Sequence, residues 1–243
     1  MSYRLSSRME HVCCLAQPSD NIHRGTIAEI GCDHAYISME LLHRDCYDHI
    51  LAMDVKDGPL LRAQKNIKQE FSDDPELYRR IETRKSDGLS AVREHELDAV
   101  ILAGMGGGLM VRIFTDSLKT FQSIPVLILQ PQSELVPLRK FLMEQNYQIV
   151  TEDMVFEDGK YYPMMRAERK DQVPQLDLCE LTFGPKLLET KHPVLHDYLE
   201  RKEQKDRMII KTLEKGESER SVSRIKELEE ELDIVEQALK RME

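Results

Sequence analysis

The sequence predicts an α/β protein: a Rossmann-like parallel sheet followed by an all-α helical hairpin. Three observations carry this. Short apolar runs alternate with helical patterns through the first 170 residues or so. Most of these runs stop on or just before a Gly, Asp or Pro. From about Pro185 the chain turns almost purely helix-forming. Alternating strand and helix patterns imply a parallel sheet with helices on both faces.

The strand candidates, in order, are Ile27–Ile30, His49–Asp54, Arg80–Arg84, Asp98–Ala103 and Pro125–Gln130. Helical patterns such as Leu60–Phe71 and Leu135–Asn146 lie between them. Tyr147–Phe156 and Tyr161–Arg169 form a closing pair around Glu157–Lys160, where Asp-Gly supplies the positive φ angles of a hairpin turn. Ahead of the sheet, Leu5, Met9, Val12, Cys13 and Ala16 mark an amphipathic helix. Beyond it, Leu195, Tyr198, Leu199, Met208, Ile209 and Leu213 belong to one long helix. Val222, Ile225, Leu228, Leu232, Val235 and Leu239 follow at steps of 3, 3, 4, 3 and 4, one narrow stripe of a second helix. A turn near Gly216 would fold the two together. The expected domains are residues 1–170 and 171–243.

The 243 residues suit one or two domains. No apolar run reaches the ~18 residues of a membrane span, and the N-terminus lacks the apolar core of a signal peptide. Five cysteines, with no zinc or disulfide spacing, predict a reducing cytoplasmic setting and no metal. A formal charge of −10 argues against a general polyanion binder but leaves room for a local basic surface. Residues 186–216 hold 8 basic and 6 acidic side chains, against 5 and 9 in residues 217–243. The first helix of the hairpin is therefore the one that could face a polyanion.

Ligands of such sheets bind outside the C-terminal strand ends. Four segments lie there. In AEIGCDHAY, Gly31 makes the turn after the first strand, and a helix starts near Ala35; Asp33 could cap that helix or accept from an ammonium group, and His34 stands beside it. In AMDVKDGP, Asp54 ends the second strand 23 residues after Gly31, with Val55 next. An acid ~20 residues after the first turn grips ribose hydroxyls. In SDGLS, Asp87 and Gly88 suit an adenine amino group and its ring nitrogen. In ILAGMGGGLM, Ala103, Gly104, Met105, Gly106 and Gly107 form a loop with space for two substrates to meet. A phosphate loop would need a Lys-Ser/Thr pair where Leu109-Met110 stands. Gly turn, ribose acid, adenine acid and open glycine loop, in that order, fit S-adenosylmethionine better than NAD. The terminal hairpin also suits the seven-stranded sheet of class I S-adenosylmethionine-dependent methyltransferases.

These segments resemble those of the bacterial tRNA (adenine-N1)-methyltransferases that modify position 22. The marks are LSSRM, IGCDHAY, the DGP after Asp54, SDGL, AGMGG, LILQPQ, LRKFL and EDGKYY. The resemblance covers nearly the whole chain and implies a methyltransferase domain followed by a coiled-coil-like helical domain. The sequence departs from the family pattern at Cys32 (usually Ser), Asp54 (Glu), Gln132 (Asn) and Phe141 (Trp).

The resemblance implies methyl transfer from S-adenosyl-L-methionine to adenine N1 of tRNA, by in-line attack of a ring lone pair without a general base. The cofactor contacts expected are Gly31, Asp33, His34, Asp54, Val55, Asp87, Gly88 and residues 103–107. Asp33 is also the candidate to stabilise the cationic base, and Tyr36 the candidate to stack on it. Expected RNA contacts are Arg8, Gln130, Pro131, Gln132 and Arg139 near the site, and Lys202, Lys205, Arg207, Lys211 and Lys215 on the hairpin. The alternatives are a methyltransferase with another substrate and a coiled-coil interaction protein with a degenerate nucleotide-binding domain. The oligomeric state is open, with a monomer favoured.

Overall fold

The computed structural model describes residues 3–18, 24–215 and 219–243. The chain divides into two compact units, Met1–Pro174 and Gln175–Glu243. The first unit is built on a seven-stranded sheet of order β3-β2-β1-β4-β5-β7-β6. Its strands are β1 (Thr26–Ile30), β2 (His49–Asp54), β3 (Ile81–Lys85), β4 (Ala99–Met105), β5 (Val126–Pro131), β6 (Tyr147–Glu157) and β7 (Lys160–Arg169). β1 to β5 pair in parallel, whereas β7 runs antiparallel to both β5 and β6. All seven predicted strands are present, with ends shifted by at most two residues. The hairpin turn forms as expected, with φ of +49° at Asp158 and +76° at Gly159.

The central strands read as unbroken apolar runs because both faces are covered. Ile27, Ala28, Val100, Ile101, Leu127 and Ile128 are fully buried. The helices of this unit are α1 (Ser7–Leu15), α2 (Tyr36–His43), α3 (Asp57–Glu70), α4 (Pro75–Arg79), α5 (Gly107–Asp116), α6 (Leu118–Ser123) and α7 (Leu135–Glu144). α1 is the predicted amphipathic helix; Val12, Cys13 and Ala16 are buried, and Leu5 and Met9 pack against the same core. It packs on β5, β6, β7 and α2. Ser6 caps its first turn, and Glu157 accepts the Ser7 N–H at 2.7 Å. Arg166 Nη1 takes the carbonyls of Leu15 and Gln17 at the other end.

Asp33 does not cap α2. The N-cap is Ala35, with φ +57° and no side-chain cap bond. Glu29, inside β1, does that work: its Oε2 accepts the Ser38 N–H at 3.0 Å and the Ser38 hydroxyl at 2.5 Å. Burial pushes the Glu29 carboxyl up to about 7, against the two Ser38 hydrogen bonds. The folded protein therefore holds a proton that the unfolded chain releases from pH 4.5 upward. Stability from this group is complete below 4.5 and is lost as pH rises through about 7. The loss is of order 3 kcal/mol. Urea unfolding at pH 5 and pH 8 checks this: the midpoint of Glu29→Gln should vary less with pH than that of the wild type. Equal pH dependence in both would refute it.

The second unit holds α8 (Leu178–Phe183), α9 (Pro185–Glu189), α10 (Pro193–Leu213) and α11 (Glu219–Met242). α8 precedes the predicted helical start; an Asp177/Glu180 capping box, a D-x-x-E signal in the sequence, begins it. α10 and α11 are the two expected long helices and pack on each other. The expected turn at Gly216 lies outside the described residues. Leu195, Leu199, Leu228, Leu232 and Val235 are buried as the stripe requires, joined by Ala238 and Met242. Met208 and Val222, read as part of the apolar faces, are 70% and 64% exposed.

Candidate active site

The C-terminal edge of β1 and β2 is assembled by backbone hydrogen bonds. The N–H groups of Gly31 and Cys32 both donate to Met53 O, at 2.8 and 2.9 Å, tying the first turn to the end of β2. Gly31 has φ +78°, and a Cβ there would lie 3.4 Å from Met105 Cε, so this turn also meets the end of β4. Asp54 is 8% exposed. Its Oδ1 accepts the Lys56 N–H at 2.9 Å, and its other oxygen accepts no bond among the described residues. Val55 beside it is half exposed. On the adjacent strand end, Ser86 donates its N–H to Asp54 O and its hydroxyl to Gly88 O, which shapes the loop that presents exposed Asp87. Gly88 has its own packing reason, since a Cβ there would meet Ile113 at 2.7 Å. A side-chain-free turn, a buried acid with one uncommitted oxygen and a second acid on the next strand fit an adenosine cofactor.

The ends of β4 and β5 form a corner. The register of this strand pair shifts between Ala103 and Met105, and Gly104 takes φ +78° there. Such a bulge re-aims the chain at a sheet edge. Gln130 Oε1 receives both the Gly104 N–H, at 3.1 Å, and Arg8 Nη1, at 2.9 Å. The Arg8 guanidinium lies over the Tyr162 ring, 5.4 Å from its centroid. A Cβ on Gly104 would have Arg8 Nη1 at 3.5 Å and Gln132 Nε2 at 3.9 Å. Gln132 is exposed and donates its N–H to Met105 O.

The rest of the glycine run is not open space. A Cβ on Gly106 would meet Ser133 Oγ at 3.0 Å, and one on Gly108 would meet Glu134 Oε2 at 2.7 Å. On Gly107 it would meet the carbonyl oxygens of Glu134 at 2.5 Å and Ser133 at 2.8 Å. The chain after β5 packs directly onto the start of α5, and the Glu134 carboxylate accepts the Gly108 N–H. Of this run, Gly104 is the exposed member. Gly107→Ala, facing backbone, should destabilise the protein by about 1–3 kcal/mol and lower activity with it. Gly106→Ala, facing a movable hydroxyl, should be milder; equal melting temperatures for both variants would refute the packing account.

A family model described as tRNA (adenine(22)-N(1))-methyltransferase matches residues 27–237. The chain belongs to this family. Over 242 residues it is 27% identical to the Bacillus subtilis tRNA (adenine(22)-N(1))-methyltransferase, covering 97% of each chain. Among solved structures, an uncharacterized Listeria monocytogenes protein superposes with TM-score 0.87 at 28% identity, over 97% of this chain and 100% of that one. A Streptococcus pneumoniae chain in complex with S-adenosyl-L-methionine gives 0.81 at 26% identity, with the same coverage. The protein is an S-adenosylmethionine-dependent tRNA methyltransferase.

For this tRNA (adenine-N1)-methyltransferase, several expected RNA contacts need correction. Gln130 is fully buried and Pro131 is buried, and Gln130 joins Arg8 to the Gly104 bulge rather than facing solvent. Arg139 is 1% exposed, and its Nε and Nη2 donate to Glu152 Oε1 of β6 at 3.3 and 3.0 Å. Lys202 is held between Asp206 and Glu231, at 2.8 and 2.6 Å. Arg207 is held between Glu203 and Glu236, at 2.9 and 2.7 Å. Lys205, Lys211 and Lys215 are exposed. Tyr36, the candidate to stack on the base, is itself stacked with two side chains, Tyr3 and His34, each with ring centroids 5.1 Å away. Asp33 is exposed, with φ +44°, and its Oδ1 is 2.6 Å from Arg62 Nη2. Arg62, Tyr3, Glu134 and Glu29 were not singled out from sequence; each acts on a residue distant along the chain. Among the described residues no three potential ligands cluster as a metal site, and no helix is long and apolar enough to cross a membrane.

Proposed function

We propose that the strand ends divide methyl transfer between a cofactor half and an acceptor half. Asp54 accepts from the ribose hydroxyls, Asp87 from the adenine amino group, and the turns at Gly31 and residues 103–107 border the amino-acid end. The cofactor supplies an electrophilic methyl group on a sulfonium. Adenine N1 enters at the Gly104 bulge between Arg8 and Gln132. Its lone pair forms the new N–C bond as the S–C bond pair returns to sulfur, and the positive charge passes to the base. No proton moves, so the residues act by holding the atoms in line. Asp33, on exchanging Arg62 for a new partner, either stabilises that charge or holds the cofactor ammonium.

N1 lies on the pairing edge, so the base must be unpaired or extruded at a cost of a few kcal/mol. Arg8, stacked on Tyr162 at the bulge, together with Lys205, Lys211 and Lys215 of the helical unit, are the phosphate contacts that offset it. The five free cysteines fit a reducing cytoplasm, where tRNA is available. The observation that carries the acceptor half is the bulge itself: a side-chain-free corner with an arginine fixed beside it through Gln130. Single-turnover transfer to tRNA across pH 6–8.5 tests the mechanism. A flat profile is expected; a rate rising in proportion to hydroxide through neutral pH would require a general base and contradict it.

A further inference from the structure

We propose that Gln132 identifies the target base as adenine, its carboxamide holding the 6-amino group and N7 while N1 stays free to react. The inference rests on the acceptor corner assigned above and names the edge of the base that this corner holds.

Two glutamines flank Pro131, and the fold uses them differently. Gln130 is fully buried, and its amide is engaged within the protein. Its Oε1 receives the Gly104 N–H and Arg8, and its Nε2 donates to Pro131 O at 3.2 Å. Gln132 is exposed, and its backbone N–H donates to Met105 O at 2.9 Å, which fixes the residue against the end of β4. Its carboxamide makes no hydrogen bond among the described residues. The amide nitrogen lies 3.9 Å from where a Gly104 side chain would begin, so the group borders the gap that the missing side chain leaves. The other groups at this corner suit an amino group less well. Arg8 carries donors only and cannot accept an amino proton. Gln130 Oε1 already accepts twice, and Glu134 Oε2 accepts the Gly108 N–H. The Ser133 hydroxyl lies against Gly106.

A carboxamide can pair with adenine along two edges. On the Watson–Crick edge, Oε1 would accept the amino N–H and Nε2 would donate to N1. That bond would occupy the lone pair that attacks the methyl group. On the other edge the same two atoms meet the amino N–H and N7, a pairing that glutamine and asparagine make with adenine in nucleic-acid complexes. Of the two, it alone leaves N1 free. Guanine presents two acceptors along that edge, so one amide atom would face a like lone pair, and the same contact rejects it.

The test uses the full-length wild type, Gln132→Leu and Gln132→Glu with tRNA carrying adenine, 7-deazaadenine or unsubstituted purine at the target position. The first analogue lacks the N7 acceptor and the second lacks the amino group. For each protein kcat/KM for tRNA is measured at saturating S-adenosylmethionine, and the ratio of adenine to each analogue is formed. A loss of folded protein or of cofactor affinity cancels in that ratio, and the intrinsic reactivity of N1 is the same for every variant. Gln132→Leu should lower kcat/KM for adenine roughly 10-fold or more, as expected for a lost bidentate pair. Its two ratios should each fall at least about threefold below those of the wild type. Gln132→Glu keeps an acceptor and loses the donor, so its ratio against 7-deazaadenine should fall while its ratio against purine is retained. The proposal is overturned if either ratio in Gln132→Leu equals that of the wild type, or if Gln132→Glu discriminates against 7-deazaadenine as the wild type does. Should Gln132→Leu prove inactive, the Gln132→Glu ratios decide alone. A wild-type protein that transfers no methyl to adenine-bearing tRNA would instead remove the functional reading on which the proposal rests.

Discussion

Arg139→Ala is expected to destabilise the protein by about 3–5 kcal/mol, the usual loss when one partner of a buried ion pair is removed. Domains of this kind have about 5–15 kcal/mol in all, so the variant should melt far below the wild type or fail to fold. The reason is geometric. Arg139 and Glu152 have side chains with no exposed area and lie 3.0 Å apart between α7 and β6. Deleting the guanidinium leaves a carboxylate in a low-dielectric interior. The double variant Arg139→Met/Glu152→Leu removes both charges and should recover much of the loss, because no unpaired ion remains. Thermal melts of the single and double variants check this. Had Arg139 been an RNA contact, the single variant would melt like the wild type and show its defect only in tRNA KM.

The second large effect is expected at the cofactor. Asp54→Ala should weaken S-adenosylmethionine binding about 100-fold or more, since two charge-assisted hydrogen bonds at about 1.5–3 kcal/mol each are removed. Asp54 also accepts the Lys56 N–H at the start of α3. Asp54→Asn is the useful companion: its amide oxygen can keep that backbone bond while the ionised acceptor is gone. Calorimetric titration should show Asp54→Asn folding normally and binding weakly. Wild-type affinity in Asp54→Asn would mean that the ribose is held elsewhere.

The sheet was legible because its signals are local. Apolar runs mark β1 to β5, and Asp-Gly marks the turn between β6 and β7. β4 runs two residues beyond the expected Ala103 because Gly104 bulges and pairing resumes at Met105, which an apolar run does not reveal. The placement of Gly31, Asp54 and Asp87 at strand ends was legible for the same reason. What failed was everything that depends on a distant partner. An arginine in an amphipathic helix reads as surface unless Glu152 on a later strand is known to face it. The glycines at 106–108 read as open space, while Ser133 and Glu134 from the next loop fill it. Tyr36 reads as a ring that stacks on the base or joins the core, while its partner Tyr3 comes from the N-terminal segment. Lys202 and Arg207 read as a basic face, while acids on α10 and α11 neutralise them in place.

The most direct test is methyl transfer from labelled S-adenosylmethionine to unmodified tRNA, with the product nucleoside identified and its position mapped. The account predicts label in 1-methyladenosine at position 22, lost when that adenine is replaced. Label on the exocyclic amine, or none in tRNA while the cofactor still binds, would contradict it.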